Sequence, residues 1–364
     1  MPFRAVSAGL VAWTIFSSAQ AQDNNPPPVR TFLDLEAYAS QLAQKPYVAP
    51  PAKLDPFFDG LNYDQHRSIR WKSDQAFFKG PGVPFEVEFF HPGWMFKKTV
   101  FYYTISDGQP AAIPFDRERF NYGDLKVPDG AVAPQGYSGF RVISLEVEKD
   151  KRFEYLACVG ASYFRAVPLH QGWGLSARGV AINTTGGSPE EFPDFTNIWF
   201  IQPKAGDKSF KFYALLNGPS VTGAYEFESV PGEETLVTVS GSIFLRKMVK
   251  MLGVAPFSSM FWFGENTHPR PMDFRPEVHD SDGVLIEQNF GPIIWRPLDN
   301  GRELRQSVFS VESLKGFGLM ERDREFSHFE DLEAKYHQRT AVWVEPIEGF
   351  GRGSLFLLEI PTGE

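Results

Sequence analysis

Phe85-Glu86-Val87-Glu88-Phe89-Phe90 and Val100-Phe101-Tyr102-Tyr103-Thr104-Ile105 decide the fold class of this chain. Both runs are rich in aromatic and β-branched residues, and the first alternates apolar and acidic side chains, the period of a strand. The same reading extends outward to Phe153–Val159, Phe210–Leu216, Leu236–Val239, Val342–Glu345 and the strand-like Ser354–Ile360. Gly, Pro and Asp turns separate these runs at short intervals, as in a sandwich of large antiparallel sheets. Helical spacing is scarce. Leu35, Tyr38, Ala39 and Leu42 predict a helix over Asp34–Gln44, with short helices expected at Asn62–Arg67 and Arg246–Leu252. Strands do not alternate with long helices, which disfavours a barrel or a doubly wound α/β sheet. The fold class is therefore all-β, as one large β-domain from residue 31 to residue 364.

The first residues read as an export signal. Arg4 supplies the positive charge, Ala8–Phe16 an apolar stretch too short to span a bilayer, and Ala19-Gln20-Ala21 a cleavage site. Residues 1–21 are thus expected to be removed, leaving a flexible tail over 22–30 with three consecutive prolines. A single cysteine, Cys158, excludes an internal disulfide framework and suits a small buried apolar role. Together these features predict a periplasmic protein with no membrane span. The net charge of −9 argues against nucleic acid or an anionic membrane as partner and is compatible with a neutral polymer. Aromatic residues make up 15% of the chain, enough for a large core and for rings left over on a binding surface.

For chemistry, the densest stretch is Arg275-Pro276-Glu277-Val278-His279-Asp280-Ser281-Asp282-Gly283. Carboxylates flanked by aromatic residues such as Trp262 and Trp295 suit carbohydrate, which offers hydroxyls to acids and C–H faces to rings. Asp before Gly equally serves a turn by accepting backbone N–H groups, and the residue types leave both readings open. Phosphate-binding, zinc-protease and nucleophile-elbow motifs are missing. The seven histidines show no ligand spacing, so neither a metal nor a cofactor is expected. What remains is a pair of carboxylates of the kind glycoside hydrolysis needs. Asp280, Asp282, Glu265, Asp323, Glu325, Asp331, Glu333 and Glu364 are candidates that spacing in sequence cannot rank. Arg165 and Arg178 sit among small residues on expected strands, where each could hold sugar hydroxyls, orient a carboxylate or pair with a structural acid. Trp94 has two readings, on a groove or in the core.

Several of these stretches together resemble one family. They include Leu61–Arg70, Gly160–Arg165, Gly174–Gly179, Glu191-Phe192-Pro193, Arg275–Asp282, Trp295-Arg296-Pro297-Leu298, Gly316–Leu319 and Trp343-Val344-Glu345-Pro346. In order, from about Asp34 to Glu364, they look like the periplasmic glucan biosynthesis proteins, the OpgG/OpgD (MdoG/MdoD) family. The resemblance implies a galactose-mutarotase-like β-sandwich and a β-1,2-linked glucan partner, with an inner-membrane glucan synthase as a further partner it admits. Family members include inverting endo-β-1,2-glucanases. In these, the residue matching Asp280 is the general base, and those matching Tyr336 and Glu364 belong to the surrounding site. His279, Asp282, Arg165 and Arg178 are expected to contact substrate or position the carboxylate. The resemblance places the general acid and an immunoglobulin-like domain beyond the Pro361-Thr362-Gly363-Glu364 turn, so the expectation for these residues alone is glucan binding, with hydrolysis depending on that acid.

Overall fold

Tyr102 and Tyr103 show how the chain divides its rings between two layers. They are neighbours on the strand Phe101–Ser106, whose two-residue period sends them to opposite faces. Tyr102 stacks on Phe200 inside the main core, with centroids 5.8 Å apart. Tyr103 stacks on Trp199 at 5.1 Å, in the cluster that includes Leu35 and Ala39 of the helix Phe32–Ala43. The computed structural model describes residues 29–49, 53–148, 151–184, 188–349 and 351–362. The expected signal segment, most of the N-terminal tail and Glu364 lie outside the described residues.

Two six-stranded sheets form the body of the fold. The first runs in the order Leu236–Leu245, Val221–Val230, Phe210–Asn217, Asp194–Ile201, Phe101–Ser106, Gln109–Ile113. Its Asp194–Ile201 and Phe101–Ser106 strands pair in parallel, whereas its other pairings are antiparallel. The second runs Phe257–Ser258, Ser176–Arg178, Tyr163–Ala166, Phe153–Val159, Gly139–Ser144, Phe85–Phe90. Phe85, Phe89 and Phe140 of the second sheet meet Phe200, Phe210 and Phe212 of the first in one buried cluster. Burying a Phe side chain contributes about 1.5–3 kcal/mol, so the aromatic-rich composition becomes the cohesion between the sheets. Cys158 is buried in the same cluster, and burial pushes its thiol well above the ordinary range.

Phe85–Phe90 departs from simple alternation in an informative way. Glu86 and Glu88 are buried, at 5% and 0% exposure. Arg141 donates to Glu88 from Nε and Nη2, at 2.9 and 2.6 Å, and Arg152 donates to both acids at 2.6 Å. Two guanidinium forks thereby satisfy carboxylates that would be costly to bury alone.

The expected helices at 34–44 and 62–67 are found as Phe32–Ala43 and Tyr63–Ser68, each started by a capping box, at Thr31/Asp34 and Asn62/Gln65. Arg246–Leu252 is not a helix. Leu252 instead opens a strand paired with Ile182, and Arg246 reaches across to carbonyls of Leu42 and Gly218. Tertiary pairing there outweighs a weak local helical preference.

A third layer follows in sequence. A four-stranded sheet orders Ile294–Pro297, Gly283–Gln288, Leu314–Met320 and Val342–Val344, beside the ribbon Arg305–Val311/Gly353–Glu359. Close approach requires glycine at Gly318, where a Cβ would lie 2.0 Å from the Val342 carbonyl oxygen. Among the described residues, no helix is long and apolar enough to cross a membrane.

Candidate functional site

Asp280 sits between two strands that belong to different sheets. Val278–His279 pairs with Phe261–Phe263, and Gly283 opens the central strand of the third layer. Three backbone bonds hold the connection, from Asp280 N to Met260 O, Asp282 N to Met320 O and Leu298 N to Asp282 O, each 2.8 Å. Ser281 is fully buried and bonds Ser259 through their hydroxyls at 2.8 Å. Gly283 is obligatory, since a Cβ would lie 2.6 Å from the Trp295 ring. The chain therefore has little freedom on either side of the carboxylate.

The two acids of the motif have different surroundings. Asp282 accepts the backbone N–H groups of Arg322 (2.5 Å) and Asp323 (3.3 Å) through Oδ2. That is the turn-supporting use of Asp before Gly. Asp280 retains 15% side-chain exposure and faces cations instead. Arg339 Nε lies 3.4 Å from its Oδ1, without hydrogen-bond alignment for either atom. Burial raises the Asp280 carboxyl above its ordinary range, and Arg339, then Arg165, then His279 oppose that rise. Arg165 comes from the strand Tyr163–Ala166 of the second sheet, so the site lies where that sheet meets the third layer.

Tyr336 opens a short turn of 3₁₀-helix at Tyr336–Gln338. Its hydroxyl is pushed up first by burial and then by the Asp280 charge, and the Arg339 guanidinium lies 5.2 Å from its ring centroid. Arg339 also donates to the Trp173 carbonyl, and Gly172 N donates to Gln338 O at 2.7 Å. The segment Gly172-Trp173-Gly174 thereby braces the turn that carries Tyr336 and Arg339.

Beneath Asp280 lies a buried ionic group. His279 has no exposed side-chain surface, and its Nε2 is 2.9 Å from Glu277 Oε2 and 3.8 Å from Asp282 Oδ1. On the other side Nδ1 is 3.4 Å from Glu321 Oε2. Burial alone would lower the imidazole, but Glu277 and Glu321 outweigh it and raise it to about 9. Burial raises Glu321 to about 7 against the opposing pull of His279. At neutral pH these shifts favour an imidazolium at His279, with Glu321 near the midpoint of its own titration. Glu277, His279 and Asp282 offer ligand atoms within 4.8 Å of one another, as do Glu265, Glu277 and Asp323. An imidazolium has no lone pair for a metal ion, so metal binding at the first group requires His279 to lose its proton.

The remaining expected residues divide. Asp280, Arg165 and Tyr336 converge. Arg178 does not join them by any described contact. Its Nη2 donates to Glu190 at 2.7 Å and Thr184 at 3.3 Å, and its guanidinium lies over Phe192 and Tyr163. Asp331 accepts backbone N–H groups of Glu333 and Ala334 and the Arg275 guanidinium. Asp323 pairs with His328. Arg339 and Glu321 belong to no motif that the sequence marks out. They lie 59 and 41 residues beyond Asp280 and come near it only through the fold, Glu321 directly following the strand Leu314–Met320 that pairs with Gly283–Gln288.

A family described as "Periplasmic glucan biosynthesis protein, MdoG" matches residues 31–364. This chain belongs to that family. Among its relatives, "Glucans biosynthesis protein G" of Ralstonia nicotianae is 44% identical over 329 residues, 90% of this chain and 65% of the relative. The protein of the same name from Pseudomonas paraeruginosa is 42% identical over 329 residues, 90% of this chain and 63% of the relative. That from Pseudomonas entomophila is 41% identical over 331 residues, 91% of this chain and 57% of the relative. The chain thus spans less than two thirds of each of these family members. The matched region includes the whole Asp280 neighbourhood, and the all-β expectation for the family holds in the structure.

Proposed function

We propose that this chain serves periplasmic glucan biosynthesis by binding β-1,2-linked glucan at the surface around Asp280, and that Asp280 is the general base where the glucan is cut with inversion. The observation that carries the reading is a partly exposed carboxylate 3.4 Å from the Arg339 guanidinium, with Arg165 and Tyr336 near enough to interact with its charge. A base must be ionised when substrate arrives. Burial makes Asp280 more basic than an ordinary aspartate, while Arg339 and Arg165 keep the charged form accessible. Arg165 and Tyr336 remain available for sugar hydroxyls, and His279 and Asp282 support the backbone on which Asp280 rides.

A second reading, glucan binding and escort without cleavage, is favoured by the fate of the neighbouring acids. Glu277 and Glu321 face His279, Asp282 accepts backbone N–H groups, and Asp323 pairs with His328. Inversion needs a second carboxyl group roughly 6.5–9.5 Å from the base, and these acids are otherwise engaged. Product analysis of linear β-1,2-glucan separates the readings. Shortened chains from the parent and none from Asp280→Asn support hydrolysis; retained binding without cleavage supports escort. No binding by either protein overturns both.

A further inference from the structure

Trp94 occupies a backbone position that suits glycine. Gly93-Trp94-Met95-Phe96 closes a tight turn, with Gly93 N donating to Phe96 O at 3.0 Å and Phe96 N to Gly93 O at 2.9 Å. Trp94, at its first corner, has a φ of 52°. Positive φ is uncommon for a non-glycine residue and an outlier for a bulky one. Gly, Asn or Asp would fill this corner with less strain. A fold that needed only the turn has no use for an indole here.

The indole is part of a rigid ledge. Tyr63 meets it edge-on at 5.2 Å, Phe96 at 5.8 Å and the His66 ring at 6.3 Å. Tyr63 is 51% exposed and Met95 63%, with Trp94 half-buried between them. From behind, His66 Nε2 bonds the His91 carbonyl at 2.7 Å. A Cβ on Gly93 would lie 3.0 Å from His66, so helix and turn are in contact without slack. The strain at Trp94 is held by its surroundings, as at sites where geometry serves a ligand.

We infer that Tyr63, Trp94 and Phe96 form a second carbohydrate platform that holds the glucan chain away from Asp280, an inference that rests on the glucan reading above. Flat rings accept the C–H faces of a pyranose, and the polar neighbours are mixed in charge. Asp64, Gln65 and Arg67 are exposed on the same helix, and Arg67 reaches over the Tyr63 ring at 5.9 Å. That balance suits a neutral polar polymer better than a charged one. The platform is also continuous with the Asp280 site. The Phe96 ring lies 3.4 Å from where a Cβ on Gly160 would stand. Gly160 begins the turn into Tyr163–Ala166, the strand that carries Arg165. Gly160 and Arg165 are five positions apart, at most roughly 17 Å of extended chain, so one glucan chain laid on the platform can extend to the Asp280 site.

The test uses the full chain carrying Asp280→Asn, with long linear β-1,2-glucan and short β-1,2-linked oligosaccharides as probes. Trp94→Gly removes the ring and relieves the backbone, so the melting temperature should hold or rise. Its affinity for long glucan should fall by about three- to tenfold, the range of an aromatic contact, while short oligosaccharides bind as in the parent. Tyr63→Ala should reproduce that pattern. Unchanged affinity for long glucan in both variants overturns the platform alone. Equal loss for short and long ligands, with the melting temperature held, also overturns it as a separate platform. No binding of either probe by the parent overturns the Asp280 reading and the platform with it.

Discussion

Arg339 Nε stands 3.4 Å from Asp280 Oδ1, close enough for Coulomb attraction but without hydrogen-bond alignment. Burial favours the neutral form of Asp280 and Arg339 is the largest opposing influence. Arg339→Met should therefore move the Asp280 carboxyl further up, whereas Arg339→Lys should restore part of the effect. Carboxyl ¹³C titration, with Asp280→Asn to assign the signal, reads this directly. An unmoved Asp280 signal in Arg339→Met contradicts the pairing.

The two acids of the motif should separate by phenotype. Asp280→Asn is expected to lose glucan cleavage while retaining glucan binding, with little change in unfolding free energy. Asp282→Ala leaves the Arg322 and Asp323 N–H groups without their acceptor and should cost about 1–3 kcal/mol. Asp282→Asn, which keeps one acceptor oxygen, should cost less. Denaturant unfolding beside a glucan-binding assay distinguishes these outcomes.

Stability should fall as pH rises from neutral to about 9. His279 is held at about 9 in the fold against its ordinary 6.5. A raised folded-state value gives stability that is complete below 6.5 and lost as pH climbs through 9. Glu321, raised to about 7 from 4.5, acts in the same direction between those values. Melting temperature measured across this window should decline in the parent and decline less in His279→Gln, whose baseline is lower because Glu277 and Glu321 lose their cation. Parallel curves for the two proteins contradict the assignment.

Gly318→Ala should destabilise the third layer by about 3 kcal/mol, because its Cβ would meet a backbone carbonyl that cannot move aside. By contrast, Thr31→Ala, which breaks a cap exposed to solvent, should cost about 1 kcal/mol. Thermal unfolding of both variants checks the order.

The strands were legible because local pattern and final environment agree in them. Phe85–Phe90 and Phe153–Val159 form where the residue pattern places them. Even there, burial of Glu86 and Glu88 was hidden, since it depends on Arg141 and Arg152 from two other segments. Arg246–Leu252 has helical spacing, but its last residue opens Leu252–Val254, whose partner Val180–Ile182 is distant in sequence. The site shows the same division. Asp280 stands out through its motif, and Tyr336 reads locally as either a sugar contact or a structural ring, with the resemblance pointing to the first. Arg339 and Glu321 carry no local signal, and only strand pairing brings Glu321 to His279. Arg178 and Arg165 carry the same local signal in sequence, and only the fold sets Glu190 beside Arg178.

The most direct test of the account is calorimetric titration of linear β-1,2-glucan into the chain and into the double variant Arg165→Ala/Tyr336→Ala. The account predicts saturable binding by the parent and at least tenfold weaker binding by the variant, with melting temperatures within a few degrees. Equal affinity in the two proteins, or no heat of binding in the parent, would contradict it.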